Sequence, residues 1–206
     1  MKLPSSFYKR PTLEVAADLL GKVLVHRRRG VVTSGIIVEV EAYIGETDPA
    51  CHAAAGRTNR NRPLYGPAGR AYVYLNYGIH CLVNVVTEPE PFPAAVLIRA
   101  LDPLEGVEVM RRRRRRTTTG LRPADSSSAA LHELCRGPGN LTKAMAITLE
   151  ENRLDFTGDR LFIEDRQIAT RGVVWDRRIG ISVGTEKPWR AYLDAHPAVS
   201  KLRSKA

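Results

Sequence analysis

The chain has 206 residues, 43 % of them hydrophobic, and a formal net charge of +10, of which one run, Arg111 to Arg116, supplies six charges and leaves +4 for the rest. That length and hydrophobic content suit one compact domain over residues 1–206, and no apolar run nears the ~20 residues needed to cross a bilayer. Residues 1–10 lack the apolar stretch of a secretory signal and any nuclear or mitochondrial address, which points away from a membrane or secreted protein and toward a soluble one in a prokaryotic, nucleoid-containing cytoplasm.

From the N-terminus, residues 13–20 read as a helix, with Thr12 as its side-chain cap after Pro11 and Gly21 placed to end it. Two strands follow, residues 22–26 and 31–43, joined by the basic turn Arg27-Arg28-Arg29-Gly30. In the second, the two-residue period puts Ile37, Glu39, Glu41 and Tyr43 on one face and Ile36, Val38 and Val40 on the other. The wholly apolar face should pack inward and leave Glu41 and Tyr43 together on the opposite side. Residues 56–69 are rich in Gly, Pro, Asn and Arg and read as a basic loop. Residues 72–76 and 79–87 form a hairpin around Tyr77-Gly78, an unusual place for a large aromatic ring.

Residues 94–101 give another strand, with Arg99 near its end. Asp102-Pro103-Leu104-Glu105 carries a capping-box pattern and predicts a helix through Met110, with the arginine run at its negative, C-terminal end. The Ser/Thr-rich residues 117–130 are expected to be mobile. Gly137-Pro138-Gly139-Asn140 leads into a short helix ending near Ile147, whose start is either an ordinary cap or a phosphate site. Residues 161–164, 179–183 and 190–193 are further strands. The three cysteines, Cys51, Cys81 and Cys135, form no CxxC pair, and the five histidines lack ligand spacing, so neither a disulfide framework nor a metal site is expected.

Five of the seven tyrosines fall between positions 43 and 77, beside His52, Arg57, Arg60 and Arg62. A protein that does chemistry on a nucleic-acid base must take it out of the stack, hold it between aromatic faces and read its edge. Tyr43, His52 and Tyr74 can supply such a slot, and Tyr77 at the tip of a hairpin can fill the gap in the duplex. Each tyrosine taken alone also reads as core packing. Cleaving the bond between base and sugar needs an activated water and stabilisation of a cationic sugar, both within reach of a buried carboxylate. Glu41 fits, with Glu39 as the competing carboxylate and a surface glutamate on a half-exposed strand as the plainer reading. Two side chains pointing together from one strand cannot flank a glycosidic bond, so one carboxylate is expected to act. No lysine stands out as an amine nucleophile, which favours direct attack by water.

The strings Val38-Glu39-Val40-Glu41-Ala42-Tyr43, Tyr72-Val73-Tyr74-Leu75-Asn76-Tyr77-Gly78, Val96-Leu97-Ile98-Arg99-Ala100-Leu101 and Arg136-Gly137-Pro138 resemble the signature blocks of the alkyladenine (3-methyladenine) DNA glycosylases of base excision repair. They occur in the family's order and cover most of residues 7–195. With the elements above, the resemblance implies a mixed α/β (α+β) single domain with a curved, mainly antiparallel sheet, flanking helices and a protruding β-hairpin. It implies that Glu41 deprotonates the attacking water and that Arg99 helps to hold it. Tyr43, His52 and Tyr74 would line the base pocket, with Asn84 crowding the 2-amino group of normal guanine. Tyr77 would intercalate, Ile79 would sit against the DNA beside it, and Arg57 and Arg60 would approach the backbone. No metal and no organic cofactor are implied. The partner would be double-stranded DNA containing damaged purines, bound by a monomer with no membrane involvement. Two other readings use the same residues: a protein that binds distorted DNA or RNA without cleaving it, and a hydrolase of free nucleosides, which would need neither Tyr77 nor the basic loop.

Overall fold

The computed structural model describes residues 1–115, 131–170 and 172–200, so the predicted mobile segment at 117–130 lies outside the described residues. In chain order the elements are α1 (Ser5–Tyr8), α2 (Thr12–Leu19), β1 (Val23–Arg28), β2 (Val31–Ile44), β3 (Ala71–Asn76), β4 (His80–Val86), β5 (Ala94–Glu105), α3 (Val107–Arg115), α4 (Pro138–Met145), β6 (Leu161–Glu164), β7 (Val173–Asp176) and β8 (Arg190–Leu193). The strands form one eight-stranded sheet in the order β3-β4-β5-β2-β1-β6, with β8 joining β2 and β7 pairing with β8.

β2 organises this sheet because it is long enough to serve two neighbours along one edge. Residues 31–36 pair with β1 and residues 39–41 with β8, while the other edge runs along β5, all antiparallel. The β2–β5 register slips at Ser34/Gly35 and on both sides of Glu39. Such bulges bend a strand and increase its twist, and here they curve the sheet into a half-barrel. The main core cluster gathers Tyr8, Leu19, Leu101, Leu141, Met145 and Phe156 among others, drawn from helices, sheet and a turn alike. The result is the expected mixed α/β fold with a curved antiparallel sheet. The tip of the β3–β4 hairpin is exposed, with Tyr77 87 % and Ile79 68 % accessible. Tyr77 and Gly78 both take positive φ, 49° and 71°, in the three-residue loop Tyr77-Gly78-Ile79 between the paired Asn76 and His80, where the Ile79 N–H donates to the Asn76 carbonyl at 3.0 Å.

Three local expectations fail. Thr12 does not cap α2 with its side chain; it lies inside the helix, buried, and donates both its backbone N–H and its hydroxyl to Glu88 Oε1 at 2.7 and 2.8 Å. No helix starts at Asp102. β5 continues to Glu105, with Asp102 paired to Ile36 and Pro103 to Gly35, because a partner strand running past this point offers more than a capping box does. Residues 179–183 are loop rather than strand, and β7 was not foreseen. Among the described residues no helix is long and apolar enough to cross a membrane.

Gly106 makes the turn from β5 into α3 at φ +72°, where a Cβ would lie 2.4 Å from the Val32 carbonyl oxygen. Gly106→Ala therefore combines left-handed strain with a backbone clash and is expected to destabilise the fold by about 2 kcal/mol or more. A lowered urea midpoint at unchanged slope would report it.

Candidate active site

Cross-strand register gathers the site. Tyr72 of β3 faces Asn84 of β4, Asn84 faces Leu97 of β5, Leu97 faces Glu41 of β2, and Glu41 faces Arg190 of β8. Directly paired residues share a face, so one row crosses five strands. Neighbouring positions on that face, Tyr74, Leu82, Arg99 and Tyr43, widen it into a cavity of about 440 Å³. The walls also take Cys51, His52 and Leu64 from the segment after β2, Tyr77 from the hairpin tip, Pro138 from the start of α4, and Ile179 to Ile181 from the loop before β8.

The aromatic side is a packed slot. The His52 and Tyr74 rings meet edge to face at 4.5 Å, Tyr72 and Tyr74 lie 5.3 Å apart, and His52 Nδ1 shares a 2.9 Å hydrogen bond with the Tyr72 hydroxyl. Burial, with the charge of Arg60, lowers the His52 pKa and keeps its ring neutral; burial also pushes Tyr74 up to about 12 and Tyr43 well above an ordinary phenol. Asn84 is fixed by donating to the Tyr72 carbonyl at 3.0 Å.

Glu41 is fully buried, one layer behind the wall, so the surface-glutamate reading is excluded. Three wall residues hold its carboxylate: the Ile179 N–H donates to Oε1 at 2.6 Å, the Tyr43 hydroxyl donates to Oε2 at 2.9 Å, and Arg99 Nη1 lies 3.1 Å from Oε2. Desolvation raises its pKa, and Arg99, the Ile179 N–H and Tyr43 pull back against that rise. Arg99, itself 6 % exposed, reaches Glu39 with Nε at 3.0 Å. Arg57 and Arg60 are exposed near the mouth, Arg60 donating to the Leu75 carbonyl of the hairpin at 3.0 Å and Arg57 lying over the Tyr65 ring. Cys51, Cys81 and Cys135 are free thiols, and among the described residues no cluster of His, Cys, Asp or Glu is placed to hold a metal ion.

The structure thus brings Glu41, Arg99, Tyr43, His52, Tyr74 and Asn84 around one cavity, with Tyr77 at its rim and Ile79, Arg57 and Arg60 on the neighbouring surface. Sequence reading missed what lies behind it. Arg178 makes a two-pronged pair with Asp48 at 2.6 and 2.8 Å, both side chains fully buried, and its guanidinium stands 4.8 Å from the Tyr43 ring centroid. Asp48 also accepts from the Ile44 and Ala50 N–H groups. This one pair ties the segment that carries His52 to the loop that carries the Ile179 N–H. No local pattern announces it, since its members stand 130 residues apart.

Comparison with known proteins places the chain among the DNA glycosylases. Relatives from Clostridium acetobutylicum (45 % identical over 98 % of this chain and 99 % of that protein), Chlorobium phaeobacteroides (46 %, over 93 % and 92 %) and Methanocella arvoryzae (47 %, over 97 % and 96 %) each carry the name "putative 3-methyladenine DNA glycosylase". A family model described as Methylpurine-DNA glycosylase (MPG) matches residues 6–197. The chain belongs to the methylpurine-DNA glycosylase family, whose business is DNA repair.

Arg178→Met leaves Asp48 buried without its partner and is expected to cost about 3–5 kcal/mol. Adding Asp48→Asn to that variant should recover part of the loss; chemical denaturation of the single and double variants measures both.

Proposed function

We propose that the chain is a monofunctional glycosylase that draws alkylated purines such as 3-methyladenine and 7-methylguanine, and also hypoxanthine, out of duplex DNA and hydrolyses their bond to the sugar, opening base excision repair. The observation that carries this reading is a fully buried carboxylate, Glu41, immediately behind an uncharged aromatic slot. In the reaction a water oxygen attacks C1′, its proton passes to Glu41, and the electron pair of the C1′–N bond leaves with the base. Arg99 helps to hold the water and keeps Glu41 anionic, while Glu41 also offsets positive charge developing on the sugar. Among the described residues lining the cavity there is no lysine, which favours water over an amine nucleophile.

The slot formed by Tyr43, His52 and Tyr74 stacks the extruded base, with Asn84 against normal guanine, and Tyr77 fills the vacated place in the duplex. Ile79 lies against the DNA beside it, and Arg57 and Arg60 meet phosphates. A cationic alkylated purine departs as a neutral base; hypoxanthine needs a proton as it leaves and is the harder substrate. The protein acts as a monomer on double-stranded DNA.

Glu41→Gln should abolish base release from methylated duplex DNA in single turnover while binding persists; an unchanged rate would remove Glu41 from the reaction. The base must be ionised and burial raises its pKa, so the wild-type rate should climb with pH through a limb above the usual carboxylate range. Tyr77→Ala should weaken extrusion, read by 2-aminopurine fluorescence, with little change in melting temperature, because the ring is exposed. Parallel loss of stability would mark it as a packing residue.

A further inference from the structure

The proposed chemistry uses Glu41 and Arg99 and leaves a second buried carboxylate without a task. Glu39 is fully buried, and of its partners only Arg99 belongs to the cavity wall. Its Oε1 accepts from Arg99 Nε at 3.0 Å and lies 3.6 Å from Arg190 Nη1 of β8; its Oε2 accepts from the Ser200 backbone N–H at 2.9 Å. The other end of the same guanidinium, Arg99 Nη1, lies 3.1 Å from Glu41 Oε2. One arginine charge is therefore shared by two carboxylates. The segment that brings in Ser200 is itself pinned: His196 Nε2 stands 3.4 Å from Asp102 Oδ2, Arg136 donates to the Pro197 carbonyl, and Ala198 is fully buried.

We infer that Glu39 is a positioning residue for the glycosylase reaction: it orients Arg99 through Nε so that Nη1 faces Glu41, and with Arg190 and the Ser200 N–H it sets how much of the Arg99 charge is left for Glu41. The inference rests on the proposed role of Glu41. The charged and titratable groups acting on Glu41 are Arg99 from β5, Glu39 and Tyr43 from its own strand, Tyr74 from β3, and Arg178 beside the Ile179 loop. Those facing Glu39 are Arg99, Arg190 and the like charge of Glu41, with the Ser200 N–H as a neutral donor. Arg190 is in turn shared with Asp176 at 3.4 Å, so it cannot replace Arg99 as the main partner of Glu39.

Two substitutions push this balance in opposite directions. Glu39→Gln keeps an oxygen for Arg99 Nε but removes a like charge from the neighbourhood of Glu41 and gives Glu41 the undivided arginine. Its acid limb should move down by about one pH unit, and its plateau rate should fall because the base is weaker. Ser200→Pro deletes the N–H, so Glu39 draws harder on Arg99 and Glu41 is less well stabilised as an anion; the limb should move up.

The experiment is the pH dependence of single-turnover 7-methylguanine release by wild type and both full-length variants. Opposed displacements of the limb support the inference, since loss of stability alone cannot produce them. Limbs coincident with wild type, whatever the rates, overturn it. A wild type with no acid limb, or an active Glu41→Gln, would instead sink the proposed function. Should Glu39→Gln fail to fold, the direction of the Ser200→Pro displacement decides.

Discussion

An arginine that is almost completely buried has to be met by negative charge, and in this protein that requirement falls at the centre of the sheet. Removing one guanidinium from water costs several kcal/mol unless carboxylates and well-formed hydrogen bonds offset it. Arg99 has Glu39 on Nε and Glu41 on Nη1, and those two residues stand on a strand whose register slips on both sides of Glu39. The bulge that curves the half-barrel is thus also the place where two acidic side chains converge on one cation. Without Arg99, desolvation would raise the Glu41 pKa with its largest opposing interaction gone, which favours the protonated form.

Rigidity around this pair comes from backbone pairing and from a second buried ion pair. The cross-strand row from Tyr72 to Arg190 sets the spacing by backbone pairing alone, so side chains from strands far apart in sequence arrive at fixed separations. The Asp48–Arg178 pair joins two irregular segments, and Arg178 also donates to the Ala42 carbonyl of β2 at 3.1 Å. Arg178 does not line the cavity; it stands against the Tyr43 ring from outside it. One face of Tyr43 is occupied by a permanent cation, leaving the other for whatever enters the slot.

How much of this was legible in the sequence follows from the range of the forces involved. The strand through Glu41, the pairing of Glu41 with Tyr43 on one face and the hairpin around Tyr77-Gly78 are set by the two-residue period and by turn chemistry, which neighbouring residues specify. The family's signature strings added Arg99 and Asn84, which no local pattern singles out. The continuation of β5 through Pro103 was illegible because the capping box at Asp102 is a genuine local preference that lost to pairing with Gly35 and Ile36, over sixty residues earlier. Thr12 was misread for the same reason: its helix start is satisfied by Glu88, from a distant turn. The Ile179 N–H on Glu41 is a backbone contact, and backbone contacts leave no mark on side-chain identity.

The electrostatics of the slot bear on its selectivity under the proposed function. The surface around it is basic and suits phosphates, yet its own walls are neutral: Tyr43 and Tyr74 hold their protons far above neutral pH and His52 loses its proton below it, each chiefly through burial. Aromatic faces attract a cation placed over them, and more strongly when both are desolvated. A positively charged alkylated purine therefore gains from the rings what an unmodified purine of nearly the same shape does not. It also enters a cavity with the buried Glu41 carboxylate directly behind its wall. Placing a fixed cation on the base-facing side of the slot would reverse that preference. The structure instead keeps Arg178 outside the cavity and turns Arg99 toward two carboxylates.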